Sequence, residues 1–404
     1  MARTGLCDSR TLLDPKKTEE RPPLRTWANT YGPRECRSCP DGDERRPQPR
    51  DKRITDHKRE NQNPRWVRDT VQRLPPCAED EIIIDYSQND LGTPDCFEQE
   101  AVLSHLQILQ MAPSLRDMLP GLLRKEMEVA MDKLGLLYDQ SYAWDVFSDM
   151  MRSQLRCTLP NAELPRPFSE NTRAILVDWL IQVHEVFNFS EETLYLAVHL
   201  LNRALRCFKV SVSSLQLLGV TCLFIAAKKE ECLLPEISEL CYLMANTYSK
   251  KQFLRMERRV LGALKFELYN CPPIHFLLLS AYIARCSDKV VCMARYLLEL
   301  CLLEGQCVVY LPAQLAGAAL HLARKIIKEP QSPESESAWC IASTIHVGSE
   351  ATLHSIMQVM ATAAARASSR ETRATFVKFS TSATLQVSLH PALSSAPCLL
   401  GLQS

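Results

Sequence analysis

The chain has 404 residues, 46% hydrophobic and 23% charged, with 47 Lys plus Arg balanced by 47 Asp plus Glu. This length allows two or three domains with separate cores, and zero net charge removes the chain-wide basic field that recruits nucleic acid or acidic lipid. Twelve glycines against 24 prolines, with no G-x-G-x-x-G or Walker-type loop, argue against an all-β fold and against a nucleotide-binding one.

In chain order, residues 1–96 come first, rich in Arg, Lys, Asp, Glu and Pro as in RPQPRDKRITDHKREN. They hold too few aromatic and β-branched residues for a core and are expected to form a disordered regulatory region. The start, MARTGLCDSR, lacks the apolar segment of a secretory leader. The longest apolar runs fall short of the roughly 20 residues that span a bilayer, so the protein is expected to be soluble and intracellular. Most of the 17 cysteines lie in or beside apolar helical stretches and read as small buried hydrophobes in a reducing compartment. Cys36 and Cys39 form a C-x-x-C with no second pair to complete a zinc site. No metal or cofactor is expected.

Residues 97–140 carry leucines and methionines at helical spacing in FEQEAVLSHLQILQ and SLRDMLPGLLRKEMEVAMDKLGLL. They predict short helices that dock on later domains, with Pro120 breaking the second. Residues 141–164 predict an amphipathic helix, with Tyr142, Val146, Phe147 and Met150 on one face, and a proline-marked linker. Residues 165–270 predict five helices: NTRAILVDWLIQVHEVF, with Ser169 or Asn171 as N-cap; EETLYLAVHLLNRALRCF, with Glu191 and Glu192 in its first turn; LQLLGVTCLFIAAKK; EISELCYLMAN; and SKKQFLRMERRVLGALKFEL.

Residues 271–379 repeat the pattern. LAGAALHLARK there echoes LLGVTCLFIAAK, with the glycine-to-lysine spacing one residue shorter. A unit of about a hundred residues exceeds a solenoid repeat and suits a duplicated all-α domain. Residues 380–404, rich in Ser and Ala, read as a flexible tail.

The helix LGVTCLFIAA is apolar all round and ends in Lys228, Lys229, Glu230 and Glu231. The last three read as a solvated helix end, where exposed charges contribute little. Catalysis finds no support: Cys222, His184 and His199 sit on apolar helical faces with no orienting third group or oxyanion donors.

NTRAILVDWLIQVHEVF, LYLAVHLLNRAL, LQLLGVTCLFIAAKKEE, YSKKQFLRMERRVL and YLPAQLAGAALHLA resemble the cyclins, specifically the A/B-type mitotic group, over about residues 141–378. The resemblance implies two tandem five-helix cyclin boxes, 165–270 and 271–379, preceded by an N-terminal helix. It implies a non-catalytic subunit that binds and activates a cyclin-dependent kinase in cell-cycle control, in nucleus and/or cytoplasm. The alternative is a cyclin-like scaffold that binds a kinase, or another protein, without activating it. Cyclin-like boxes in transcription initiation factors suggest nucleic acid instead, but no basic stripe or zinc ribbon supports that.

By the same resemblance, Lys228 and Glu257 bind backbone groups near the kinase's C-helix, with Leu217 and Phe266 adding apolar contact. Ile225 reads as core. Ile175, Leu176, Trp179, Gln182, Leu215 and Gln216 match a groove that docks R-x-L substrates or inhibitors. Here Thr172 replaces the family's methionine, and Gln182 replaces the carboxylate that receives the docking arginine, so docking is expected to be weakened or altered. Arg173 matches an arginine that the family pairs with aspartate. Asn202 stands at the aspartate position, and a less stable first box is expected. Arg3 and Leu6 resemble a destruction box, implying a ubiquitin ligase as partner through the N-terminus.

Overall fold

In a computed structural model that describes residues 113–136, 139–159, 169–328 and 332–400, the chain forms α-helices joined by loops and short 3-10 turns, with no strand among the described residues. The expected disordered region 1–96, the Arg3–Leu6 motif and the helical stretch before residue 113 lie outside them.

The first described helix, α1 (Pro113–Lys133), runs through Pro120 without the expected break. Proline removes one backbone hydrogen bond, and burial beyond it holds the helix. Met127, Ala130 and Met131 are fully buried, and α1 packs on α2 (Ala143–Ser153), α8 (Pro273–Ile283) and α11 (Pro333–Ser343). On α2 the expected apolar face is split. Phe147 is buried, whereas Tyr142, just before the helix, and Val146 are exposed. The 3-10 turn Gln154–Cys157 then fastens this segment to the second bundle, because the Gln154 side chain accepts from Ala313 N–H at 3.1 Å.

The first bundle comprises α3 (Glu170–Phe187), α4 (Glu191–Cys207), α5 (Leu215–Glu230), α6 (Ile237–Leu243) and α7 (Lys250–Ala263). Ser169 is the N-cap of α3, its Oγ accepting from Thr172 N–H at 3.1 Å. Helix α5 is central and touches α3, α4 and α7, which explains an apolar surface on every side. Contrary to the expectation that every apolar run is too short, Val212–Glu230 is long and apolar enough to cross a bilayer, but two thirds of it (67%) is buried inside the fold.

The second bundle comprises α8, α9 (Asp288–Leu300), α10 (Pro312–Ile327), α11 and α12 (Glu350–Arg366). Helix α10 touches α8, α9 and α12, taking the place α5 has in the first bundle. The echo between the two central helices reflects packing. A Cβ on Gly219 would come within 3.0 Å of the Leu176 side chain, and one on Gly317 within 2.6 Å of the His346 ring.

Residues 380–404 are not the expected flexible tail as far as Leu400. A short helix, α13 (Ala374–Lys378), leads into 3-10 turns whose Val387, Leu393 and Ala396 are buried against the second bundle. Apolar residues spaced among the serines and alanines give the segment a packing side. It also bridges the bundles: Lys378 Nζ lies 3.0 Å from Glu185 Oε1 on α3 and 2.8 Å from Glu299 Oε2 on α9.

Candidate partner-binding surface

Helices α5 and α7 pack side by side and bring Lys228 and Glu257 together. Lys228 Nζ donates to Glu257 Oε1 at 2.6 Å. The two ends of the pair differ: the Lys228 side chain is 44% exposed, that of Glu257 only 9%. Lys228 also lies over the ring of Phe224, one turn back on α5, at 4.6 Å, a cation–π contact that restricts the flexible stem. An ammonium has three donors and this one uses a single carboxylate oxygen, so Lys228 still has donors for exposed carbonyls.

Phe266 follows just beyond the end of α7. Lys265 and Phe266 both take positive φ, 51° and 59°. Phe266 N–H closes on Leu261 C=O at 3.0 Å, the six-residue closure by which helices commonly terminate. The turn leaves Phe266 70% exposed. Leu217, expected at the same surface, is instead core: α5 is central, and the side chain is 5% exposed. Ile225 is buried, as its position on α5 predicts.

Three further large apolar residues, absent from the sequence reading, are also exposed. Leu233 (84% exposed) and Leu234 follow α5, and Tyr242 lies on α6. The run CLLPE carries a signal for the first two, since adjacent leucines beside a proline have no helix to bury them.

Glu231 is not the solvated charge that was expected. Its Oε1 accepts from Ser190 N–H at 2.7 Å, Ser190 Oγ at 2.8 Å and Thr193 Oγ1 at 2.6 Å. It thus caps the N-terminus of α4 from the end of α5, a site where the helix dipole favours a carboxylate. Lys229 and Glu230 pair with each other. The four charges therefore divide into one cation held on Glu257, a local pair and an internal cap.

The expected docking groove is largely closed. Trp179 is fully buried, and Leu176 (8%) and Leu215 (7%) nearly so, while Ile175 and Gln216 are half-buried. Gln182 donates to Asp178 Oδ2 at 3.0 Å, and Asp178 Oδ1 accepts from Ala374 N–H at 2.8 Å. Gln182 is thus turned inward, toward the start of α13. Burial raises the Asp178 carboxyl to about 6, against these two hydrogen bonds. Among the described residues, Trp179 Nε1, Gln182 Oε1 and Gln216 Oε1 have no hydrogen-bond partner.

Arg173 is 3% exposed and its Nε donates to Asn202 Oδ1 at 3.0 Å. Its Nη1 donates to Leu302 O at 2.9 Å and Leu303 O at 3.3 Å, so this arginine also joins the first bundle to the second. Burial lowers its pKa, opposed by the charges of Glu170 and Glu304. Among the described residues no cluster of three or more His, Cys, Asp or Glu side chains is arranged to hold a metal.

Comparison with known proteins supplies the family. The model of the cyclin N-terminal domain matches residues 145–269 and that of the cyclin C-terminal domain matches 271–393. The chain is 38% identical over 202 residues to the G2/mitotic-specific cyclin-B of Arbacia punctulata, covering 49% of this chain and 48% of that protein. It is 36% identical over 230 residues to the G2/mitotic-specific cyclin-B2 of Oryzias latipes, covering 56% and 58% respectively. The aligned part thus spans about half the length of these curated relatives. A viral cyclin from herpesvirus saimiri aligns in structure with a TM-score of 0.44 at 17% identity, over 53% of this chain and 97% of the viral one. The two domain matches run almost without interruption through both five-helix bundles, and the chain belongs to the cyclin family.

Proposed function

We propose that the protein is a non-catalytic regulatory subunit that binds a cyclin-dependent serine/threonine kinase and activates it by gripping the kinase's C-helix, in cell-cycle control. The observation that carries this reading is the Lys228–Glu257 pair, 2.6 Å apart across α5 and α7. It sets an ammonium donor beside a carboxylate, and Phe266, just beyond the end of α7, is a separate exposed apolar side chain. A kinase is active only when its β3 lysine meets the C-helix glutamate, and a subunit that binds the inward position better than the outward one shifts that equilibrium without chemistry of its own. The mitotic relatives support the cell-cycle setting.

Docking of R-x-L substrates or inhibitors belongs to the same proposal in weakened form, since Gln182 offers no carboxylate and Trp179 is buried. Degradation through Arg3 and Leu6, and action in nucleus and/or cytoplasm, rest on the sequence alone.

Co-purification with a panel of cyclin-dependent kinases, followed by assay of each complex for phosphoryl transfer, tests the reading. Wild type should retain a kinase and raise its activity, and Lys228→Ala and Glu257→Ala should each weaken binding at least about tenfold, as expected of central charged contacts. A complex that forms but transfers no phosphate would favour the scaffold. Equal retention of a kinase by wild type and both variants would remove this surface from the account.

A further inference from the structure

A cleft of about 90 Å³ lies at the junction of the two bundles, bordered by α3, α4 and the 301–310 segment. Arg173 lines it, and the acceptors of its three hydrogen bonds, Asn202 Oδ1 and the carbonyls of Leu302 and Leu303, are all neutral. Its Nη2 has no protein partner among the described residues. No aspartate or glutamate lines the cleft, whose other polar groups include His199, Asn270 and Tyr310. His199 is held neutral, its pKa pushed down to about 3 by burial and by Arg203. Glu170 and Glu304 act on Arg173 only through space, and Glu304 is already engaged by Arg370.

A guanidinium does not shed its proton in a protein. Neutral acceptors satisfy the directions of its N–H bonds but give it no directly bonded counter-ion, Glu170 and Glu304 acting only through space, and a buried charge that is poorly paired is destabilising. Asn202 uses its oxygen on Arg173 and also lines the cleft, so its amide N–H groups are further donors of that lining. The volume exceeds the roughly 10–15 Å³ of accessible space that one water needs and admits a small ion.

We propose that this cleft binds a small inorganic anion, held by Arg173 Nη2 and the Asn202 amide. The anion supplies the directly bonded negative charge that the side chains lining the cleft lack. Because Arg173 also holds the backbone of Leu302 and Leu303, occupancy stiffens the joint between the two cyclin boxes.

Thermal unfolding of the full chain, in a buffer whose only anion is a bulky organic sulfonate, tests the site. Inorganic phosphate titrated at constant ionic strength should raise the melting temperature saturably, by about several degrees at a hundredfold excess over the dissociation constant. Asn202→Asp places a carboxylate beside Arg173. This variant should melt higher without phosphate and lose the phosphate-dependent rise. Chloride is the second probe: wild type should broaden the ³⁵Cl resonance, and phosphate should reverse the broadening. A rise linear in phosphate and identical in Asn202→Asp would be general salt exclusion and would overturn the proposal. So would the absence of both the phosphate-dependent rise and the chloride broadening in wild type, a result that does not depend on how any variant folds.

Discussion

Removing the Glu231 carboxylate would strip the acceptor from one backbone N–H and two hydroxyls at the start of α4. Glu231→Ala should therefore destabilise the fold by about 1–2 kcal/mol, the range of a lost helix cap, measurable in urea unfolding. A loss within experimental error would mean that Ser190 recaps the helix by itself. At Lys228 the partners differ, its own side chain 44% exposed and that of Glu257 only 9%, so Lys228→Ala leaves a nearly buried carboxylate unpaired and should cost about 1–3 kcal/mol in stability. A tenfold or greater loss of kinase affinity while the variant stays folded separates a contact residue from a structural one. Asn202→Asp should raise the melting temperature in anion-free buffer, because a carboxylate neutralises Arg173 where an amide cannot. An unchanged or lower value would refute a cost from the missing bonded counter-ion at Arg173.

Helices are governed by how closely they approach one another, and two glycines make opposite predictions. Gly317→Ala would drive a Cβ to within 2.6–2.9 Å of the buried His346 ring. A loss of about 1–3 kcal/mol is expected from such overpacking. Gly262, on α7, has nothing within 4 Å of an added Cβ, and Gly262→Ala should stabilise by about 0.4–1 kcal/mol through a less flexible unfolded chain. Differential scanning calorimetry of the two variants checks both signs. Periodic apolar spacing made most of the helices legible in the sequence, α5 and α10 above all. It did not reveal α11, PESESAWCIAS, whose buried residues are only Ala338 and Ala342. It misjudged Pro120 and the C-terminal segment because both are held by packing partners distant in sequence. Family resemblance singled out Lys228 and Glu257 as kinase contacts, while their pairing with each other came only with the packing of α5 on α7. The roles of Leu217 and Glu231 were not legible, because burial and capping depend on which helices become neighbours.

Titration of the whole molecule brings groups of opposite sign into competition. His199, His321 and His346 have pKa values pushed down by burial, to about 3, 4 and 3. The unfolded chain binds protons at these sites from pH 6.5 downward while the folded chain does not, so each loses stability as pH falls through that value. For His346, 5% exposed with neither ring nitrogen hydrogen-bonded, the loss at pH 5 is about 2 kcal/mol. Asp178 runs the other way. Burial raises its carboxyl from 3.8 to about 6, so its contribution is fully present below the lower value and is lost as pH rises through the upper one. Acidification thus recovers a part, about 1–2 kcal/mol by pH 5. Glu185 is silent in this range. Burial tends to raise it, but the His184 hydrogen bond and the Lys378 charge hold it at about 2, and its contribution is lost only below about 4.5. Three histidines outweigh one aspartate. The melting temperature should fall steadily from pH 7 to pH 5 and more steeply below 4.5, and His346→Leu should flatten the upper part of that slope. A melting temperature that held level or rose toward pH 5 would show that the buried histidines find proton acceptors in solution.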